Sequence, residues 1–449
     1  MAYLPIADAQ ISLDTAAVSR AGFKTTMFID DHMWFTERSR SYTSLVGAAA
    51  DLPTDSNAYA GVVSAFSSSP QPAVVKVGRR EADDFVFTPA AITSNGQIVS
   101  VTVVDTGGTS TTATFTSTTG GEADTAVVTA LKAALGTPAG ITIGASTTTL
   151  DLTKSGNANF SVSDVVGGTY AYVTTETAAD MMAAITAEDD DFFFMGCSDH
   201  TDAFVIALAT DVQAREKQYV VSSSDEDNLD SRSDTFTDLF NVLNNAARTK
   251  TAGLFHQDAD TAFPEMAFIT VASTADPAVL RKSWANNKIN VGFSSDSGIA
   301  LTPSQKGNLE AKQANYIENV GGINITRNGY TFGQRYLTMY DMRNKAYAEA
   351  RLVENIQNYQ IATPIVPHTD AGYAAIENVM SSTFDRMVST ETSVNILEQQ
   401  VPYLIDITPR SEVSFGDISA GIFTASFTLH LTGEIRNIST TGSMTFRAA

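Results

Sequence analysis

The densest gathering of reactive side chains is Gly196-Cys197-Ser198-Asp199-His200, a thiol, a hydroxyl, a carboxylate and an imidazole within five residues. Nucleophilic catalysis needs a base brought to the nucleophile from a different element, and adjacency in one run works against that. The run sits where a strand gives way to a helix, so it predicts a turn in which Ser198 or Asp199 caps the helix that follows. Two acidic clusters, Glu188 to Asp191 and Asp225-Glu226-Asp227, are the candidates for a cation. The second has carboxylates at positions one and three of a calcium loop, but Leu229 stands at position five and the glycine and distal glutamate are missing. Both read as solvated loops. His32, His200, His256, His368 and His430 are scattered, without the paired spacing of a zinc site. No GxGxxG follows a strand and no Walker lysine motif occurs, so the expectation is no cofactor, no metal and no enzyme.

The elements that would position such groups are built from 449 residues, 43% of them hydrophobic, enough for two to four cores. Cys197 is the single cysteine, which excludes an intramolecular disulfide and fits a reducing compartment. The amino terminus lacks a basic region followed by an apolar run, so no secretory signal is expected. The apolar run Ala203 to Ala209 is far short of the roughly 20 residues of a membrane helix, so no membrane insertion is expected. A net charge of -22 opposes binding to nucleic acid, which needs a basic surface to displace counterions. The charge is uneven: residues 1 to 300 carry 17 basic and 36 acidic side chains (-19), residues 301 to 449 carry 11 and 14 (-3). A near-neutral end suits packing among neighbours, and acidity elsewhere suits solubility.

Residues 1–24 show only the alternation Gln10-Ile11-Ser12-Leu13 and read as an arm. Thr25 to Phe35 and Ala73 to Gly78 read as strands around a helix near Ala58 to Ser67. From Phe85 to Thr175 the composition changes, with 22 threonines and seven charged residues among 91. Alternating runs at Ile98 to Val104, Thr112 to Thr118, Thr147 to Leu152 and Asn159 to Val165, with a helix over Glu122 to Leu135, make this an inserted β-rich domain, residues 85–175. Strand and helix then take turns: helices over Ala178 to Thr186, Thr201 to Arg215 and Ser233 to Ala247, strands over Phe192 to Gly196, Gln218 to Ser222 and Gly253 to His256. That rhythm predicts a central α/β domain, residues 25–84 with 176–299, whose partly parallel sheet is covered on both faces.

The last third is expected to be an α+β domain, residues 300–433. Thr302, Pro303 and Gln305 form a capping-box start, and Gly321-Gly322 reads as the stop of a helix presenting Leu309, Tyr316, Ile317 and Val320 on one face. Helices over Met339 to Gln360 and Tyr373 to Val388 follow, the latter carrying Ile376, Met380, Phe384 and Met387. Phe423 to Leu431 alternates as a strand, and residues 434–449 form a second arm.

In order along the chain, Trp284, the Gln305 to Gly322 segment with Asn315-Tyr316, Gly333 to Tyr340, the long helix beyond it, Thr363-Pro364, His368-Thr369-Asp370-Ala371-Gly372 and Leu431-Thr432-Gly433-Glu434-Ile435 resemble the carboxy-terminal half of contractile bacteriophage tail sheath proteins. Tyr42 to Leu52 and Ala58 to Arg79 resemble the start of a phage sheath family long catalogued as a domain of unknown function. The resemblance implies a homo-oligomer of stacked hexameric rings around a tail tube, in contact with baseplate and tail terminator proteins. It implies assembly in a bacterial cytoplasm, a place in the virion tail, and contraction that drives the tube through the host envelope. The insert corresponds to the variable outward-facing domains of sheaths. Arm residues Ile11, Leu13, Ile435, Ile438, Met444 and Phe446 are the expected joints between subunits, and Lys306, Lys312 and Tyr316, with the first two exposed, are expected to face the tube. Another tail or capsid component, or a soluble α/β enzyme, is the alternative left open.

Overall fold

The computed structural model describes residues 22–156, 159–233, 235, 237–277, 282–333, 337–390 and 395–432. The chain opens with β1 (Thr26–His32) and β2 (Ser39–Tyr42), then α1 (Leu45–Asp51), α2 (Asn57–Phe66) and β3 (Val75–Glu81). Ser44 and Ser56 accept backbone N–H bonds as N-caps, which fixes where both helices start. β1 is buried on both sides because it lies mid-sheet between two helical layers. Met27 and Ile29 point to one core and Phe28 to the other, as a period of two requires. Against that second face α2 presents Gly61, where a Cβ would stand 2.4 Å from the Phe28 ring, so only glycine lets the helix sit this close.

The insert follows: β4 (Asp84–Pro89), β5 (Ile98–Val104), β6 (Ser110–Thr116), α3 (Asp124–Leu135), β7 (Ile141–Ile143), β8 (Leu150–Lys154), β9 (Ser161–Val166) and β10 (Gly168–Val173). They form two antiparallel sheets, ordered β10-β4-β8-β7 and β6-β5-β9, with Val127, Leu131 and Leu135 of α3 in their shared core. The outgoing strand β4 pairs with the returning strand β10 from Asp84↔Val173 to Pro89↔Gly168. The chain therefore leaves and re-enters the body at one point. That junction is held by Arg38, which donates to Glu81 at 2.5 Å and to Glu176 at 2.8 Å, and by Trp34 set edge-on to Tyr170 at 5.1 Å.

The body resumes with α4 (Ala178–Glu188), β11 (Phe194–Cys197), α5 (Asp202–Gln213), β12 (Gln218–Ser223), α6 (Leu239–Asn245), β13 (Thr251–Phe255), α7 (Ala259–Ala262) and α8 (Pro264–Ser273). The sheet order is β13-β12-β11-β1-β3-β2, parallel throughout except β2. The α/β rhythm is thus a mainly parallel sheet with helices on both faces. α6 is shorter than the expected Ser233 to Ala247, because Asp238 accepts the Asn241 N–H at 3.2 Å and starts the helix there.

After the small hairpin β14 (Ser295–Asp296) and β15 (Ile299–Ala300), α9 (Pro303–Ala311) starts with the expected capping box, Thr302 N–H to Gln305 at 2.9 Å and Gln305 N–H to Thr302 at 3.3 Å. It does not run on to Gly321-Gly322. Gln313 takes a φ of 60°, and the chain becomes a hairpin of β16 (Tyr316–Val320) and β17 (Ile323–Arg327). Gly321 and Gly322, at φ 60° and 84°, are its two-residue turn, a geometry that needs positive φ at both central positions. Leu301, Leu309, Ala314 and Phe332 pack in one core with Tyr219, Leu229 and Leu243.

α10 (Met339–Ala362) begins with a Thr338–Asp341 capping box and buries its first turns against the body. Beyond it lie α11 (Asp370–Asp385), β18 (Tyr403–Ile407), α12 (Phe415–Ala420) and β19 (Ala425–Leu429). Met380 and Phe384 are buried on one face of α11, as their spacing predicts, Ile376 is partly buried there, Met387 is buried just past the helix end, and Phe384 packs 5.2 Å from Phe427 of the β18–β19 hairpin.

Candidate functional site

The run at 196–200 is a turn with separate tasks. Cys197 ends β11 fully buried, and burial pushes its thiol well above the ordinary value. Asp199 accepts from the Thr201 N–H at 3.0 Å and hydroxyl at 2.7 Å, a turn just ahead of α5; the N-cap is Thr201, without a side-chain cap bond, so neither Ser198 nor Asp199 caps the helix as expected. Its other oxygen takes Arg80 at 2.8 Å. His200 turns away to Asp260 at 2.9 Å and Glu265 at 3.5 Å. Burial would lower its pKa, but the hydrogen bond to Asp260 and the carboxylate of Glu265 nearby prevail and hold it at about 9. Thiol, carboxylate and imidazole thus serve three different neighbourhoods, and no nucleophile–base pair forms among them. The imidazole network was not legible in the sequence because its carboxylates come from α7 and α8, far along the chain from His200.

A cleft of about 490 Å³ opens at the carboxy-terminal ends of β1 and β11, where the strand order reverses. Crevices at such switch points are where open α/β sheets bind ligands. Asp30, Asp31 and Asp199 line it, with Trp34, Tyr170 and Tyr172 opposite. Asp30 accepts the Ala58 N–H at 2.9 Å, and burial raises its carboxyl to about 7. Burial raises Asp31 to about 6 against the pull of Arg80. Among the described residues no three His, Cys, Asp or Glu side chains converge to hold a metal ion. The carboxylates here are tied to Arg80 and to a helix start, which makes them part of how α2 and the insert meet the sheet.

The residues expected to face a tube do not form one surface. Lys306 of α9 reaches Glu318 at 2.6 Å, and Glu318 also takes Arg327 at 2.6 Å, a surface ion cluster. Lys312 is wholly buried against Asp238, not exposed, because the break after α9 turns it inward. Tyr316 is 9% exposed and packs in the core from β16, since the segment is a strand and not a helix face. Ile11, Leu13, Ile435, Ile438, Met444 and Phe446 lie outside the described residues.

Exposed apolar area points elsewhere. Among the described residues, nine of the seventeen exposed large apolar side chains fall between 353 and 431, including Phe415 at 84% and Ile365 at 79%. A contiguous patch of such side chains suits contact with another molecule. No described helix is long and apolar enough to cross a membrane.

No family model and no curated protein matches the sequence. Solved structures do. The contracted helical sheath of the anti-feeding prophage aligns with 98% of this chain and 99% of its own at a TM-score of 0.54 and 10% identity. A chain of the contracted anti-feeding prophage baseplate aligns over 99% of both at 0.51 and 12% identity. The contracted sheath complex of the extracellular contractile injection system PVC aligns over 99% and 98% at 0.50 and 12% identity. The chain has the fold of contractile sheath proteins.

Proposed function

We propose that this chain is the structural subunit of a contractile tail sheath, and not an enzyme. The observation that carries the reading is the alignment with a contracted sheath over nearly the whole of both chains, since a shared core alone would leave the insert or the carboxy-terminal region unmatched. The apolar surface between 353 and 431 supports it. In this reading subunits stack as hexameric rings around a tail tube, the region beyond α10 makes the contacts near the tube, and the insert faces outward. Baseplate and terminator proteins close the two ends.

The arms, residues 1–24 and 434–449, add strands to sheets of neighbouring subunits. Lys306, at the surface, remains a tube-facing candidate. Electron microscopy of the purified full-length protein tests the whole reading: helical tubes or stacked rings of sheath width are expected, and closed shells or a stable monomer at high concentration would overturn it.

A further inference from the structure

We propose that Phe415 of one copy of this chain seats in an apolar socket of a second copy, so that the region beyond α10 carries both halves of a contact between subunits. The socket has a volume of about 110 Å³ and lies where the last turns of α10 and the middle of α11 meet the chain that follows α12. Ile356 and Tyr359 form one wall, Ile376 and Val379 a second, and Phe423 a third. Tyr373 is buried, stands edge-on to Phe423 at 5.0 Å and meets His368 Nδ1 through its hydroxyl at 3.1 Å, which holds these walls together. No Asp, Glu, Lys or Arg is among the described residues that line the socket, in contrast to the cleft at Asp30 and Asp31. An apolar cavity of about 150 Å³ holds a whole benzene molecule. A smaller one with exposed Gln360 and Gly421 at its mouth suits a phenyl ring entering from outside.

The matching ring is on the same chain but comes from another copy. Phe415 is 84% exposed at the first position of α12. That helix is fixed at both ends: Ser414 accepts the Asp417 N–H at 3.1 Å, and Gly421, at φ 70°, donates to the Ile418 carbonyl at 3.2 Å. Its six residues span about 9 Å, and Gly421 at the far end lines the socket. The helix therefore holds Phe415 away from its own socket, and only by unwinding could the ring fold back. A second copy presents the same ring without that restraint.

Charge agrees with that partner. Arg410 donates from Nε to the carbonyl of His368 at 2.9 Å, which brings it to the socket's rim. Among the described residues Arg410 has no carboxylate partner, and Glu412 and Asp417, on either side of Phe415 in the chain, have no cationic one. A ring flanked by two unpaired carboxylates meets a socket with an unpaired guanidinium beside it, so docking joins opposite charges around an apolar centre. A knob and a socket at different places on one surface join copies head to tail, an arrangement that propagates as a ring or a helix. The proposal deepens the sheath reading and rests on it for taking a second copy as the partner.

The test uses the full chain, whose own Cys197 is buried. Phe415→Cys and Val379→Cys are made in separate chains, mixed and oxidised, and the linked peptides are read by mass. Disulfides joining the two variants are expected. In parallel, thiol labelling of Val379→Cys should slow at least tenfold as protein concentration rises. Adding Phe415→Ala to that chain should abolish the slowing and Phe415→Leu should keep most of it, with both melting like the parent because the ring is exposed. Slow labelling at every dilution would give the socket to another segment of the same chain, and links only between two copies of Phe415→Cys would set knob against knob. Either result, or no link at all, overturns the proposal. Electron microscopy of the parent keeps the two readings apart: tubes without the link sink the contact and leave the sheath, whereas the link without tubes supports the contact and sinks the sheath.

Discussion

Lys312 and Asp238 form an ion pair, Nζ to Oδ1 at 2.9 Å, with side-chain exposures of 0% and 4%. The ammonium also donates to the Asn228 carbonyl at 3.0 Å, and Asp238 accepts from Asn241 at 2.6 Å. The pair ties the end of α9 to the start of α6, two elements distant in sequence. Removing one partner strands the other charge in the core, which costs about 3–5 kcal/mol. Lys312→Ala should lose about that much in denaturant unfolding, and Lys312→Met less, whereas Lys306→Ala at the surface should change stability by under about 1 kcal/mol. Equal losses at 306 and 312 would contradict the packing described.

His200, Asp30 and Asp31 each make stability fall as pH rises, whereas His32 and His256, whose pKa values burial lowers, make it rise toward 6.5. His200 is held at about 9 in the folded chain, above its ordinary 6.5, so its contribution is complete below about 6.5 and disappears as pH rises through 9. Asp30 and Asp31, raised by burial to about 7 and about 6, contribute fully below their ordinary 3.8 and lose that as pH rises through those values. Thermal melts should therefore decline between about pH 7 and 9, and His200→Gln should remove that decline. A His200→Gln curve parallel to the parent above pH 7 would refute the network with Asp260 and Glu265.

Deleting the insert, residues 85–175, behind a short linker should leave a folded body that still assembles. Asp84 and Val173 are register partners in neighbouring strands, so the ends to be joined lie side by side. The deletion uncovers Trp34, which packs against Tyr170 and Tyr172, so Trp34→Ser belongs in the same chain. Loss of soluble protein in that variant, or soluble protein that no longer forms tubes, would show that the insert is part of the assembling body.

How much of this was legible depends on whether a signal was local. β5 runs over Ile98–Val104 as its alternation predicts, and the α9 cap at Thr302 and Gln305 is as the spacing predicts, because both need only neighbours. Gly321-Gly322 misled because glycine pairs end helices and also form tight hairpin turns, and Tyr316, Ile317 and Val320 suit either period. Burial of Lys312 could not be seen, since its carboxylate, Asp238, belongs to a distant helix start. The cleft at Asp30 and Asp31 exists only once β11 has come to lie beside β1, a pairing of two strands that the whole insert separates in sequence.

Contraction should need neither nucleotide nor metal. An extra burial of about 100–200 Å² of apolar surface per subunit at about 25 cal/mol/Å² supplies roughly 2.5–5 kcal/mol, and a polymer multiplies that by its number of subunits. Assembled tails should contract on warming or mild denaturant in the presence of a chelator. A strict requirement for ATP would be fatal to the idea.

Truncating either arm should abolish polymerisation while leaving a folded subunit. Where the described chain ends, β18 and β19 form a sheet of only two strands, with Tyr403, Ile405 and Leu429 turned toward the α11 core and Leu404 exposed on the opposite face. Among the described residues β18 has no strand on its outer edge, while the chain just past β19 meets Leu397 in a short antiparallel bridge at Leu431, and an unpaired edge is a template for another chain. Ile11 and Leu13 at one end of the sequence and Met444 and Phe446 at the other alternate as an added strand would. A few backbone hydrogen bonds at about 0.5–1.5 kcal/mol net each make one weak tie. Two ties per subunit, repeated through a lattice, hold by effective concentration, and they let subunits rotate and slide without parting. Pairing of the two arms inside one subunit is the competing arrangement, and truncation separates the two. Removing residues 1–20 or 438–449 should give protein with the parent's melting behaviour and no tubes by electron microscopy, whereas normal tubes from either truncation would show that the joints lie elsewhere.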